Sequence, residues 1–249
     1  MTHAPNGVQP RSTPTRDVAG PALGGLSTAF IVTDRATPMT AGFACVHVDA
    51  QCLVAIKPSG LLSVPGRGEL AHDCLALRVQ AAFADALVVH RLDMSTSGLM
   101  LFARGAAAQR ALSAAFAARE VHKRYIAIVH GHFESAHGEI DLPLSADWPN
   151  RPKQKVDRES GKPSLTRWRV LAFDSARNAT RLELEPVTGR AHQLRVHLLA
   201  VGHPILGDAL YAPPEVLAQA DRLLLHASSL RFAHPHTGEP IALESVAPF

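Results

Sequence analysis

A chain of 249 residues with 47% hydrophobic content is long enough to bury a sizeable core, as one large domain or one domain with an extension. No apolar run approaches the roughly 20 residues that span a bilayer, and the N-terminus lacks the apolar core of a secretion signal. A cytoplasmic location without a membrane partner is therefore expected. The formal charge of +3 favours an acidic partner only weakly, but it is unevenly placed: eleven Lys/Arg stand against five acids between Arg151 and His197. Such a segment fits either the footprint of a nucleic acid or a solvated face.

Residues 1–42 are rich in Pro, Thr, Gly and Ala without sustained periodicity, which predicts a disordered tail and a structured domain over 43–249. The runs 45–48 and 53–56, separated by Asp49-Ala-Gln51, predict a hairpin. Lys57-Pro-Ser-Gly60 and Pro65-Gly-Arg-Gly68 then predict an irregular surface. A helix is expected over 74–83 with Asp73 as its N-cap. Next, the apolar runs Val88-Val89 and 99–102 flank a polar insert that carries His90, Arg91, Asp93, Ser95, Thr96 and Ser97. Short apolar runs bounded by turn formers read as buried strands, which makes the insert a loop on rigid supports. Two readings of it stand: a carboxylate held ionised by a neighbouring arginine for chemistry, or an aspartate and three hydroxyls capping a turn.

A helix follows over 106–118, with Leu112 and Phe116 four apart on one face. The strand 121–129 places Tyr125, Ala127 and Val129 on one side and Arg124, Ile126 and Ile128 on the other. Prolines in 141–144 and 148–155 exclude regular elements there. Trp148 among Arg151, Lys153 and Lys155 either offers the aromatic and basic mixture of a nucleic-acid surface or packs under a long loop. Runs 165–173 and 180–187 alternate as antiparallel strands, Thr188-Gly-Arg190 makes a turn, and 192–200 reads as a short helix stopped by Gly202 and Pro204. On that helix Leu194, Leu198 and Val201 form the apolar face, and Arg195 lies at its border, where it snorkels to water or points into a site. With a last strand over 223–230, the class is α+β: a mostly antiparallel sheet flanked by short helices and loops.

Three cysteines without close pairing predict free, buried thiols. The histidines are scattered and His-Glu-x-x-His is missing, so no metal is expected. Dinucleotide, P-loop and nucleophile-elbow signatures are also missing. What remains is one carboxylate, Asp93, the arginines Arg91, Arg190 and Arg195, and the strand tyrosine Tyr125, a set suited to carboxylate chemistry on an anionic substrate.

His90-Arg-Leu-Asp-Met-Ser-Thr-Ser-Gly98 resembles the signature His-Arg-Leu-Asp-x-x-Thr-Ser-Gly of the RluA family of pseudouridine synthases. Further blocks agree in order: Lys57-Pro-Ser-Gly-Leu-Leu-Ser-Val-Pro-Gly66, Lys123-Arg-Tyr125, Thr188-Gly-Arg-Ala-His-Gln-Leu-Arg-Val-His197 and Gly202-His-Pro-Ile-Leu-Gly-Asp208. The resemblance implies a pseudouridine synthase fold with a mixed central sheet and isomerisation of uridine to pseudouridine without cofactor or metal. It further implies a branch of the family acting on both a 23S rRNA hairpin and the tRNA anticodon stem-loop; the short, irregular tail leaves no room for the N-terminal S4 domain of many relatives, and a monomer is expected.

By the same resemblance Asp93 acts on the sugar, by direct attack or through a glycal, and Arg195 pairs with it. Arg91 enters the stack vacated by a flipped base, and Tyr125 stacks on that base or takes its C5 proton. His90, Thr96, Arg190, Arg151, Lys153 and Lys155 are expected to contact the RNA. A catalytically idle RNA-binding module and an N-glycosylase are the competing readings, and retention of Asp93, Tyr125 and Arg195 together favours the synthase.

Overall fold

The structure, a computed structural model, describes residues 42–66 and 73–249, together with the backbone of 31–32 and 37–39. In chain order the strands are β1 (Ile31–Val32), β2 (Thr37–Met39), β3 (Phe43–Val48), β4 (Cys52–Lys57), β5 (Ala86–Val88), β6 (Ser97–Arg104), β7 (His122–His130) and β8 (His137–Asp141). They continue as β9 (Leu144–Ala146), β10 (Gln154–Val156), β11 (Leu165–Asp174), β12 (Ala179–Pro186), β13 (Leu225–Ala233) and β14 (Pro240–Glu244). The helices are α1 (Leu75–Ala82), α2 (Gly105–Ala118), α3 (Gln193–Ala200) and the single turn α4 (Pro214–Leu217).

Twelve strands form one mixed sheet in the order β2-β3-β4-β6-β13-β7-β12-β11-β8, with β5 beside β6 and β14 linking β13 to β1. All its pairings are antiparallel except β6 with β13 and β1 with β14. The α+β architecture expected from the sequence is the one observed.

The near-continuous apolar runs of β4 and β6 follow from cover on both faces. Leu53, Ala55, Met100 and Phe102 pack on Leu75, Ala76 and Val79 of α1. The alternate residues Cys52, Val54, Leu99, Leu101 and Ala103 meet Ala108 and Leu112 of α2. Each large aliphatic side chain buried in this way contributes about 1.5–3 kcal/mol. In the other half of the sheet Ala127, Val129, Leu182 and Leu184 support Leu194 and Leu198 of α3.

The parallel pairing of β6 with β13 joins two antiparallel halves, and there Gly98 lies opposite Ala227. Gly98 has φ +114°, and a Cβ on it would lie 2.3 Å from the Ala227 carbonyl oxygen. Only glycine fits so close an approach with that backbone.

Several expectations need correction. Part of the expected tail belongs to the sheet: β1 pairs with β14 and β2 with β3. The remainder of that expectation, 1–30, 33–36 and 40–41, lies outside the described residues. Helix α1 is preceded by Cys74 with no side-chain cap, because the N–H groups of Leu75 and Ala76 donate to the carbonyls of Leu62 and Ser63. Asp73 instead grips Arg78.

The proline-containing stretch 141–155 also holds regular structure. Pro149 sits inside a 3₁₀ turn, Trp148–Asn150, which leaves β9 and β10 free to pair as a separate two-stranded arm, with β10 against α3. Val201 lies just past the end of α3 and is 41% exposed. Among the described residues no helix is long and apolar enough to cross a membrane.

Candidate active site

The polar insert becomes a strapped loop between β5 and β6. Lys57, fully buried at the end of β4, donates through Nζ to the carbonyls of Pro58, Leu61 and Met94 at 2.9, 2.7 and 2.8 Å. Ser59 Oγ donates to the Ser95 carbonyl, and Ser63 Oγ both donates to the Leu92 carbonyl and accepts from the Leu92 N–H. The Thr96 N–H closes the turn on the Asp93 carbonyl at 3.1 Å. The irregular Lys57-Pro-Ser-Gly60 surface is thus the clamp that fixes the loop. Burial lowers the Lys57 pKa to about 8, against the pull of the Asp93 charge.

Across the loop lies a cleft of about 570 Å³ lined by Arg91, Asp93, Tyr125, Arg190, His192 and Arg195, among others. Its far wall is shaped by Gln193, 3% exposed. The Gln193 amide oxygen accepts from Thr188 Oγ1 and the Arg190 N–H, while its amide nitrogen donates to the Leu165 carbonyl and Thr166 Oγ1. All four bonds of the side chain fix the 188–190 turn against β11 and start α3.

Arg195 lies inside the protein, 4% exposed, and not on a helix border. Its Nε and Nη2 donate to the two carboxylate oxygens of Asp208 at 2.8 and 2.6 Å, and its Nη1 reaches Asp93 Oδ2 at 3.3 Å. Asp208 Oδ1 also accepts the N–H groups of Leu210 and Tyr211, and the Tyr211 ring lies under the guanidinium, 5.0 Å from its carbon. A second ring faces the same carboxylate: His192 Nε2 stands 3.9 Å from Asp93 Oδ1, and its Nδ1 lies 2.6 Å from the Tyr211 hydroxyl. The Tyr211 oxygen in turn accepts the Gln154 N–H of β10 at 2.8 Å. Burial lowers the His192 pKa, opposed by the charges of Asp93 and Asp208.

Asp93, Tyr125, Arg195, Arg91 and Arg190 therefore converge on one cleft, as the sequence predicts. Burial and then the Asp93 charge push the Tyr125 phenol well above its ordinary pKa. His90 lines the cleft, but its Nε2 accepts the Leu101 N–H at 2.9 Å and its ring stacks on Phe116. Burial and the Lys123 charge lower its pKa to about 3; it is a post for the loop and offers no cation to RNA. Thr96, 3% exposed, is likewise a turn residue.

Arg151, Lys153 and Lys155 lie on the arm and do not line the cleft. There the Arg151 guanidinium stacks on Trp148 at 3.4 Å, and Trp148 is 67% exposed, which removes the reading of a packing tryptophan.

The sequence reading assigned no role to Lys57, His192, Tyr211 or Asp208. Lys57, His192 and Asp208 stand inside blocks that carry the resemblance, and an arginine on a buried helix calls for a second carboxylate. Nothing in the local pattern marked Tyr211. Among the described residues one group offers three metal-capable side chains, His47, Asp49 and Cys52, at the β3–β4 turn. Asp49 Oδ1 accepts the N–H groups of Gln51 and Cys52, and Oδ2 faces His47 and His234. Burial and the adjacent Asp49 push the Cys52 thiol up to about 12. This is a clasp tying the turn to the 234–239 loop, and none of its members lines the cleft.

A carboxylate and a buried arginine facing one another in a cleft rimmed by basic side chains, on a mixed sheet, suit an enzyme that acts on a polyanion such as RNA. The family profile described as RNA pseudouridylate synthase matches residues 51–200, and the chain belongs to that family: it isomerises uridine in RNA to pseudouridine. It is 51% identical over 204 residues to the dual-specificity RNA pseudouridine synthase RluA of Escherichia coli (strain K12), which covers 82% of this chain and 93% of that protein. With its counterpart from Yersinia pestis the identity is 52%, over 82% of this chain and 98% of that protein. Among solved structures, human RNA pseudouridylate synthase domain containing 1 superposes with a TM-score of 0.71 at 29% identity, covering 86% of this chain and 87% of that one.

Proposed function

We propose that Asp93 is the carboxylate that acts on the ribose of the target uridine. The single observation that carries this is its placement 3.3 Å from the buried guanidinium of Arg195, which is itself held by Asp208. A fixed, charge-paired carboxylate at the mouth of a cleft suits attack at C1′ or removal of a sugar proton while the N-glycosidic bond breaks.

The target base is flipped out of its stack at a cost of a few kcal/mol, and Tyr125 stacks on the extruded uracil for roughly 1–3 kcal/mol in return. Arg91, exposed at the cleft mouth, fills the space the base leaves. Arg190 and the arm residues Arg151, Lys153 and Lys155 hold backbone phosphates, positioning the RNA without reading its sequence.

The relatives named as dual-specificity enzymes support two RNA substrates for this chain as well, a 23S rRNA hairpin and a tRNA anticodon stem-loop. The enzyme acts as a cytoplasmic monomer, with the region from residue 43 onward, joined by β1 and β2, as its catalytic domain. The test is Asp93→Asn in a tritium-release assay on RNA carrying 5-tritiated uridine, run beside an RNA-binding measurement. Loss of release with retained binding is expected, and unimpaired turnover overturns the assignment. Release of free uracil by the wild type would convert the reading to an N-glycosylase.

A further inference from the structure

We propose that His192 is a catalytic residue that accepts the C5 proton of the rearranged base. The inference rests on the role given to Asp93 above. Whichever route opens the glycosidic bond, C1′ must lie against the Asp93 carboxylate, and C5 becomes bonded to C1′. The acceptor of the C5 proton must therefore lie within a few ångströms of Asp93. Two side chains bring a nitrogen within 4.0 Å of the Asp93 carboxylate among the described residues, Arg195 and His192. Arg195 is a cation engaged with two carboxylates and has no lone pair to offer. Lys57, on the other side of the loop, spends its ammonium protons on three carbonyls.

His192 is built for the task in three independent ways. Its backbone is left-handed, φ 53° and ψ 16°, a conformation that side chains other than glycine adopt infrequently and that clusters at functional sites. Its Nδ1 lies 2.6 Å from the Tyr211 oxygen; in the tautomer in which Nδ1 donates to that oxygen, the lone pair of Nε2 faces the cleft. Its Nε2 stands 3.9 Å from Asp93 Oδ1, close enough for the carboxylate to stabilise an imidazolium as it forms. The groups that face the ring are Asp93 and Asp208, which favour its protonation, Arg195 and Arg91, which oppose it, and the Tyr211 hydroxyl.

The step balances as follows. Cleavage leaves the bonding pair of N1–C1′ on N1 of the uracil. After the base turns, the C5=C6 pair forms the bond to C1′ while the N1 pair closes a double bond to C6; in the same step the C1′–O bond to Asp93 breaks and its pair returns to the carboxylate, or, on the glycal route, the C1′=C2′ pair takes the sugar proton back from Asp93. His192 Nε2 then takes the proton from C5, and the C–H pair restores C5=C6. The displaced pair returns to N1, which picks up a proton from solvent, and the imidazolium gives its proton back to solvent. No oxidant, reductant or further reactant is required.

The experiment uses the full chain and an anticodon stem-loop RNA with 5-protio, 5-deuterio or 5-tritio uridine, in single turnover. His192→Gln keeps a hydrogen-bonding group beside Tyr211, and circular dichroism with RNA binding establishes that each variant is folded. Expected are slowing by about 100-fold or more, a deuterium isotope effect at C5 that the wild type lacks, unchanged RNA affinity, and rescue of His192→Ala by added imidazole. Turnover of His192→Gln at the wild-type rate overturns the proposal and leaves Asp93 as the acceptor. Slowing without an isotope effect and without imidazole rescue also overturns it, reducing His192 to a positioning residue. A wild type that forms no pseudouridine in this RNA or in a 23S hairpin carrying the same label fails the reading of the previous section, which is a separate outcome.

Discussion

Arg195 is shared unequally between two carboxylates: it binds Asp208 through two nitrogens at 2.6 and 2.8 Å and touches Asp93 with a third at 3.3 Å. Asp208, 1% exposed, is the structural anchor of the guanidinium, and Asp93, 27% exposed, receives what is left of its donor capacity. The arginine is fixed in the free protein, and it presents Nη1 to the Asp93 carboxylate without reorganisation.

Asp208→Ala leaves a buried guanidinium with half its partners, a defect of about 3–5 kcal/mol. Chemical denaturation is expected to show that loss. Asp208→Asn, which keeps the shape and an acceptor, should unfold closer to the wild type yet still lose turnover at saturating RNA, since Arg195 is then free to turn toward Asp93. Wild-type turnover in the Asn variant would mean that Asp208 does not orient the pair.

Lys57→Met removes the donor that serves three carbonyls around the loop. A buried acceptor left without a partner costs about 1–3 kcal/mol, so urea denaturation is expected to shift by several kcal/mol in total. Hydrogen exchange should rise over the loop and not in α3. A variant as stable as the wild type, with an equally protected loop, would show that the clamp is dispensable.

Two buried histidines make the fold acid-sensitive. Burial, aided by Lys123, brings His90 down to about 3; burial and then Arg222 bring His226 down to about 4. His226 bridges Ser97 of β6 and Ser245. In the unfolded chain both rings take up a proton near the ordinary value of about 6.5, while the folded state resists until pH 3 to 4. Their contribution is thus fully present above pH ~6.5 and is lost as pH falls through that window, at about 1.4 kcal/mol per pH unit for each ring. Urea midpoints measured from pH 7 to 4 should fall accordingly, and His226→Asn should flatten the slope. An unchanged slope would contradict the assignment of His226.

Charge reversal of Arg151, Lys153 and Lys155 tests the arm. Because these groups do not line the cleft, RNA affinity should fall while turnover at saturating RNA stays near wild type. The dependence of log affinity on log salt should lose about 0.7 for each phosphate contact removed from single-stranded RNA. A loss of turnover with intact affinity would instead point to the Gln154–Tyr211 contact as the arm's main contribution.

The sequence made Asp93, Tyr125 and Arg195 legible as candidates because each sits in a short local pattern, and the class of fold followed from alternation and from the double-sided run of β6. What it concealed is long-range. The cap of α1 is made by carbonyls of Leu62 and Ser63, and no side-chain pattern records it. The true partner of Arg195 comes after the helix ends, and the role of Lys57 depends on a loop 37 positions away. The arm was missed because proline was counted against the whole stretch, whereas the prolines occupy the turn and the connections and spare the paired residues.

The seam between β6 and β13 has a consequence for biosynthesis. Asp93 enters from the half of the sheet built early in the chain, while Tyr125, His192 and Arg195 stand on the half built later, and β13 pairs with both β6 and β7. A chain synthesised only as far as Leu224 contains Asp93, Tyr125, His192 and Arg195 but lacks the strand that joins the two halves. The two halves, expressed as separate polypeptides, are expected to be inert singly and active only on reassociation through β13.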